Sequence, residues 1–146
     1  NGAVHFSGQR RQAALSEMRR AAGQPSLVTL SAEATITGPV IRVSARAAPQ
    51  AGIDTSEDWR LSVALISKSA RTHVMHGENG GEILDEVAIV RGLSDRLPIS
   101  FASQSRLNAT VVKPPDLRWA DAQLVAFVQS ETTLKVAAAL AVELPR

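Results

Sequence analysis

The sequence predicts a mainly β protein, an antiparallel β-sandwich preceded by a short strand and a helix. Hydrophobic residues recur at every second position through much of residues 25–146, which is the period of a strand with one buried face. Gly, Pro and Asp residues separate these alternating segments, as expected of roughly seven to nine short strands joined by turns. The length of 146 residues corresponds to about one domain.

The alternation is clearest in VTLSAEATIT, residues 28–37, and in its return strand at residues 41–47. Residues 124–128 are apolar on both faces, which is typical of a central strand. The last segment, residues 134–144, is rich in alanine and therefore compatible with a helix, but its period of two favours a strand. Further strands are predicted at residues 59–65, 72–76, 87–93, 97–101 and 107–112, with a turn at residues 68–69.

The first 24 residues follow a different pattern. Asn1-Gly2 is a hairpin-turn dipeptide, and residues 3–6 after it are predicted to form a strand. Residues 9–22 are predicted to form a helix whose narrow apolar stripe includes Leu15 and Met18. Because a hairpin turn needs a strand before it, we expect residues 1–24 to be the end of another unit, and residues 25–146 to be the sandwich domain.

Composition excludes several classes of function. Aromatic residues make up 3% of the chain, too few for the stacking surfaces of a nucleic-acid-binding protein, so no nucleic-acid partner is expected. The absence of cysteine excludes disulfides, thiol catalysis and thiolate metal sites from this chain. The longest apolar run, residues 136–142, is far shorter than the roughly 20 residues of a membrane span.

Two motifs carry a resemblance to a known family. Gly77-Glu78-Asn79-Gly80-Gly81 is followed by Ile89-Val90-Arg91-Gly92-Leu93, and both come after the strand and helix of residues 1–24. In this order the chain resembles the carboxyl-terminal part of an uncharacterised bacterial family of secreted proteins, in which a thioredoxin-like domain precedes a β-sandwich.

The resemblance implies a periplasmic or secreted protein. It also implies that the cysteine pair and the cis-proline of the thioredoxin-like domain lie upstream of Asn1. The expected partner of the sandwich is that upstream domain or a second chain. Without cysteine, residues 1–146 themselves lack the thiolate that thiol exchange requires.

The stretch HVMHGENGGE is the most concentrated set of candidate ligands. On a continuous strand, side chains three residues apart point to opposite faces, so His73 and His76 converge only if the chain bends into a loop at residues 75–76. The favoured interpretation is a glycine-rich connection in which Asn79-Gly80 supplies left-handed backbone conformations. The residues of a candidate ligand site are His73, His76, Glu78, Asn79 and Glu82, with Asp85 as a further oxygen ligand for calcium.

Other charged and aromatic residues are interpreted structurally. The arginines at positions 10, 11, 19 and 20 are expected to form a solvated helix face. Trp59 and Trp119 are expected to pack in the core or between domains. No Gly-x-Ser-x-Gly motif or other catalytic constellation is present, so we predict a non-catalytic sandwich module without a cofactor. The alternative is a small binding module that uses residues 73–86 for a metal ion or small ligand.

Overall fold

Each strand predicted between residues 28 and 144 overlaps an observed strand, but only those at residues 28–37 and 107–112 have the predicted limits. The computed structural model describes residues 11–102 and 106–145. It contains α1 (Arg11–Ala22), β1 (Val28–Thr37), β2 (Val40–Pro49), β3 (Trp59–His73), β4 (Ile83–Leu93), β5 (Leu97–Pro98), β6 (Leu107–Val112), the short 3₁₀ helix Trp119–Asp121, β7 (Ala122–Ser130) and β8 (Val136–Val142).

The strands form two antiparallel sheets, which confirms the predicted β-sandwich. The smaller sheet has the order β1-β2-β6, and the larger has the order β4-β3-β7-β8 with β5 also paired to β3. The strand β7 lies between β3 and β8, as its apolar character on both faces predicted. The prediction of a strand near the carboxyl end is also confirmed, because β8 covers residues 136–142.

The core lies between the two sheets and is built from the inward-facing positions of each strand. The smaller sheet contributes Ile41 and Val43, and the larger contributes Leu61, Leu65 and Leu124, all almost fully buried. The alternation of exposed and buried residues in β1, β2 and β7 follows directly from the period of two in the sequence. Burial of these side chains is the main favourable term for folding.

The predicted turn at residues 68–69 is wrong. The strand β3 continues without interruption from Trp59 to His73 and pairs with β4 as far as Ile83. The predicted separate strand at residues 72–76 is therefore the last part of β3, and it ends at His73 rather than His76. Lys68 and Ser69 do not break the strand because Ser67 pairs with Ile89 and Ser69 with Val87 in the ladder to β4, which overrides local turn propensity.

A shift of register divides β3 and β4 into two parts. Leu65 pairs with Gly92 but Ile66 pairs with Val90, which leaves Arg91 as an extra residue on β4. Before this bulge the core side of β3 is buried, whereas residues 68–73 and the facing residues 83–88 are almost entirely exposed. We call residues 68–88 the β3–β4 arm.

The helix α1 lies outside the sandwich core. It begins within the predicted range and ends at Ala22 as predicted, but none of its residues is buried. The predicted strand at residues 3–6 and the residues Asn1, Gly2 and Arg10 lie outside the described residues. None of the described helices is long and apolar enough to cross a membrane.

Candidate functional site

The candidate ligand residues lie at the tip of the β3–β4 arm. The loop after β3 is closed by backbone hydrogen bonds, in which Gly81 N donates to Val74 O at 2.8 Å and Val74 N donates to Glu82 O at 3.0 Å. Within the loop, Gly80 N donates to Gly77 O at 3.0 Å and Glu82 N donates to Asn79 O at 3.0 Å. The interpretation of this stretch as a glycine-rich strand connection is therefore confirmed.

The residues that allow this loop to close are not the ones predicted. The positive φ angles belong to Gly77 and Gly81, both at 91°, rather than to Asn79-Gly80. Glycine reaches this region without the steric cost that a Cβ imposes. The prediction that Asn79-Gly80 supplies the left-handed conformations is wrong. The residues with positive φ are Gly77, two positions before Asn79, and Gly81, one position after Gly80.

The five candidate ligand residues lie at the end of β3 and in the loop that follows it. His73 is the last residue of β3 and pairs with Ile83. His76, Glu78, Asn79 and Glu82 lie in the loop between β3 and β4, and all five residues are exposed. Within residues 11–102 and 106–145, no group of three or more His, Asp or Glu side chains is placed to hold a metal ion. The calcium interpretation is further weakened by Asp85, which forms an ion pair with Arg71 at 2.7 Å.

The two tryptophans have different environments. Trp59 is 2% exposed and its indole Nε1 donates to Asp54 O at 2.7 Å, which confirms its core position. Trp119 is 38% exposed in the 3₁₀ helix, and Lys113 Nζ lies 5.4 Å from the centre of its ring. Trp119 therefore does not lie in the core, because the 3₁₀ helix places it at the rim of the sandwich, and packing between domains stays a prediction for it.

Trp119 borders an open cleft at one end of the sandwich. The cleft has a volume of about 1210 Å³ and lies between the end of β1 and the ends of β7 and β8. Ile36 and Leu144 contribute apolar walls, and Lys68, whose Nζ donates to Ala120 O at 2.9 Å, lies at its rim. Polar residues also line the cleft, including Thr35, Gln123 and Glu143.

The titration of three charged groups is shifted by local hydrogen bonds away from the arm. The hydroxyl and the backbone N–H of Ser56 hold the pKa of Asp54 below its ordinary value of 3.8. The Arg91 guanidinium lowers the pKa of Asp116, and Asp121 raises the pKa of Arg118. The hydrogen bonds that shift these three groups join exposed side chains at the surface.

The outer surface of the larger sheet is unusually apolar. Cross-strand pairing of Ala64 with Leu93 and Val125, and of Val125 with Ala141, aligns these side chains on the side opposite the core. We call this surface the apolar outer face, and its residues are Ala64, Ile66, Val90, Leu93, Val125, Phe127, Ala139 and Ala141.

Sequence reasoning missed this surface although a signal was present. Residues 124–128 are apolar at both odd and even positions, which indicates a strand covered on both faces. That pattern explained why β7 is central, but it also requires cover for the outward side chains Val125 and Phe127. Both are only half-buried among the described residues.

The two antiparallel sheets define the described part of the chain as a β-sandwich with a helix before its first strand. Residues 1–129 match the family described as "Protein of unknown function (DUF1223)", and the chain belongs to that family. No curated protein is significantly similar to the chain in sequence.

The fold is similar to that of a domain of the outer membrane lipoprotein Omp28 from Porphyromonas gingivalis. The TM-score is 0.50 with 15% sequence identity, and the similarity covers 82% of this chain and 89% of that domain. At this identity the likeness establishes a shared fold.

Proposed function

We propose that the chain is a non-catalytic β-sandwich module that packs against a thioredoxin-like domain in an exported protein. The observation that carries the proposal is the state of α1. This helix has no buried residue, and Met18 on its apolar stripe is 64% exposed. An amphipathic helix is stable when its apolar stripe packs on another element, so the partner of α1 is a structure outside the described residues.

The resemblance of residues 1–24 to the last strand and helix of a thioredoxin-like domain gives that partner an identity. In this proposal Leu15 and Met18 pack on the sheet of the upstream domain, and the sandwich acts as its neighbour rather than as a second catalytic unit. The work of the module is structural: it contacts the upstream domain and shields part of its surface. The similar fold of an outer membrane lipoprotein domain is compatible with the proposed cell-envelope location.

The coding DNA upstream of the Asn1 codon tests the proposal directly. We expect the reading frame to extend upstream through a leader and a Cys-x-x-Cys pair. A reading frame that begins at or just before residue 1 would falsify the proposal.

Hydrogen exchange of α1 gives a second test on the chain itself. In the 146-residue chain the amides of residues 12–22 should exchange much faster than those of β7, because α1 has no buried face. In a longer protein that includes the upstream region, the same amides should become protected. Equal protection of α1 and β7 in the 146-residue chain would contradict the proposed boundary between residues 24 and 25.

A further inference from the structure

The two outer faces of the sandwich differ in chemistry. The outer positions of the smaller sheet are mostly polar and include Ser31, Glu33, Arg42, Ser44 and Asn108. The corresponding positions at the centre of the larger sheet are the eight residues of the apolar outer face and one small polar residue, the buried Ser62, which pairs with Phe127. An antiparallel sheet with one solvated side normally alternates apolar and polar residues, so the smaller sheet follows the rule and the larger does not.

The apolar outer face is continuous across four strands and is still partly exposed. Leu93 on the edge strand β4 is 56% exposed, and Ala139 and Ala141 on β8 are also exposed. Phe127 and Val125 lie between these edges on β7 and are half-buried. A contiguous apolar surface of this kind on a folded domain marks an interaction site.

The chain that enters the sandwich arrives at the border of this face. Ser26 Oγ and Leu27 N both donate to Ala137 O of β8, at 3.1 and 2.9 Å. The end of α1, at residues 21–22, borders a cleft of about 590 Å³ with residues 135–139 of β8. Ala139 belongs both to this cleft and to the apolar outer face.

The connector restricts where the preceding structure can lie. Residues 23–27 span at most about 18 Å when fully extended. The last two, Ser26 and Leu27, are hydrogen-bonded to β8. The unit that includes α1 therefore lies beside β8. Of the two outer faces that extend from this border of the sandwich, only that of the larger sheet is apolar.

We propose that the apolar outer face is the docking surface for the domain that precedes α1, an inference that rests on the proposed function. The preceding domain covers Phe127, Val125 and Leu93 and so completes the burial of β7 on its second side. This contact places the sandwich as a rigid neighbour of the upstream domain rather than as a freely tethered one.

Hydroxyl-radical footprinting compares the exposure of these side chains with and without the upstream domain. The probe is applied to the 146-residue chain and to the longer protein that includes the upstream reading frame. We expect the oxidation rates of Phe127 and Leu93 to be lower by a factor of about five or more in the longer protein, because a buried side chain loses most of its exposure to the radical. Met75 in the loop, 77% exposed, should react equally in both and serves as the internal reference.

Two arginine variants separate docking from folding. Ala141→Arg places a charge on the apolar outer face at an exposed position of the edge strand β8, and it should restore the rapid oxidation of Phe127 in the longer protein. Asn108→Arg is the matched control, because Asn108 is exposed on the edge strand β6 and faces outward from the polar sheet. The control should leave the slow oxidation unchanged. Circular dichroism of both variants in the 146-residue chain should be that of the wild type.

Each outcome decides the inference. Equal oxidation of Phe127 in the two wild-type proteins, or an equal effect of both arginine variants, overturns the docking surface while the proposed function stands. A dimer of the 146-residue chain in sedimentation that Ala141→Arg abolishes also overturns it, because a second copy would then be the occupant. A reading frame that begins at residue 1 removes the proposed function itself and is established before the footprinting.

Discussion

At the scale of single residues, the choice of side chain is most restricted where the backbone lies close to another strand. Gly92 lies opposite Leu65 at the bulge, on the core side of β4. A Cβ at this position would lie 2.9 Å from Val111 Cγ1 and 3.3 Å from Val112 O. The absence of a side chain at Gly92 therefore allows the edges of the two sheets to meet.

Gly92→Ala is expected to destabilise the sandwich by about 1–3 kcal/mol, because an added methyl group in a packed site forces neighbouring atoms to move. The free energy of unfolding from urea denaturation measures the effect. Gly23→Ala is the control, since a Cβ there would lie at ordinary distances of 3.6 Å or more from Arg19 O and Arg20 O. Equal unfolding free energies for the two variants would contradict the assigned role of Gly92.

Asp54 gives a prediction about pH. Its carboxyl accepts hydrogen bonds from Ser56 N at 2.9 Å and Ser56 Oγ at 2.7 Å, and these bonds lower its pKa below 3.8 in the folded chain. A lowered folded pKa means that the contribution of the ionised carboxyl to stability is present above the unfolded pKa. This contribution to stability is lost as the pH falls below 3.8 and passes through the pKa of Asp54 in the folded chain.

An NMR titration of the Asp54 carboxyl carbon should therefore give a midpoint below 3.8 in the wild type. In Ser56→Ala the midpoint should move upward toward that value, because the side-chain hydrogen bond is its largest cause. An unchanged midpoint in Ser56→Ala would assign the lowered pKa to another cause.

At the scale of elements, the period of two predicted which segments are strands, but not where β3 ends. Hydrophobic alternation depends on local burial, and it identified β1 and β2 because each has one face in the core, whereas β7 was predicted from a run that is apolar on both faces. The β3–β4 arm has no core face, so its sequence lacks the pattern, and Lys68-Ser69 resembled a turn. Only the cross-strand ladder, which is invisible in a single sequence, continues the strand to His73.

The candidate ligand residues of the arm stay a prediction, because their density in the sequence does not by itself make a site. Local density of His, Glu and Asn is a property of sequence, whereas a ligand site requires side chains that converge in space. The backbone bonds of the loop hold these residues at an exposed hairpin tip. No group of three or more His, Asp or Glu side chains among the described residues is placed to hold a metal ion. The apolar outer face was underestimated for the opposite reason, since it assembles from four strands that are distant in sequence.

The two parts of β3 are expected to differ in local stability. Amides of Arg71 and Thr72 in the arm should exchange at least about 100-fold faster than that of Val63 in the sandwich, because opening the arm exposes little buried apolar surface. Native-state hydrogen exchange by NMR measures this ratio. Arg71→Ala, which removes the ion pair with Asp85, should cost at most about 1 kcal/mol. Comparable exchange at Arg71 and Val63 would show that the strand opens as a single unit.

At the scale of the whole molecule, the sandwich and α1 differ in how much of their surface is buried. The two sheets share one core, and Ser26 and Leu27 are hydrogen-bonded to β8. In contrast, no residue of α1 is buried. The boundary at residue 25 stays a prediction of the sequence, and it leads to a direct measurement.

A chain shortened to residues 25–146 should unfold in one cooperative transition with a free energy within about 0.5 kcal/mol of that of the 146-residue chain. The reason is that the removed helix contributes no buried side chain. Leu124→Ala, in contrast, should cost about 2–5 kcal/mol in either chain, because it leaves a cavity at a fully buried position. A large loss of stability on shortening would show that residues 1–24 belong to the sandwich.

The bulge on β4 has a consequence for how copies of this protein behave in a concentrated solution. The outward edge of β4 carries Ile83, Leu84 and Val87, and Val87 is 78% exposed, so a long straight edge would invite intermolecular strand pairing and aggregation. The positive φ of 54° at Ala88 and the extra residue Arg91 interrupt that edge, and Asp85 and Glu86 place like charges on the remaining short run. The same irregularity that sets the arm apart from the core thereby keeps an exposed apolar strand from acting as a template for its neighbours.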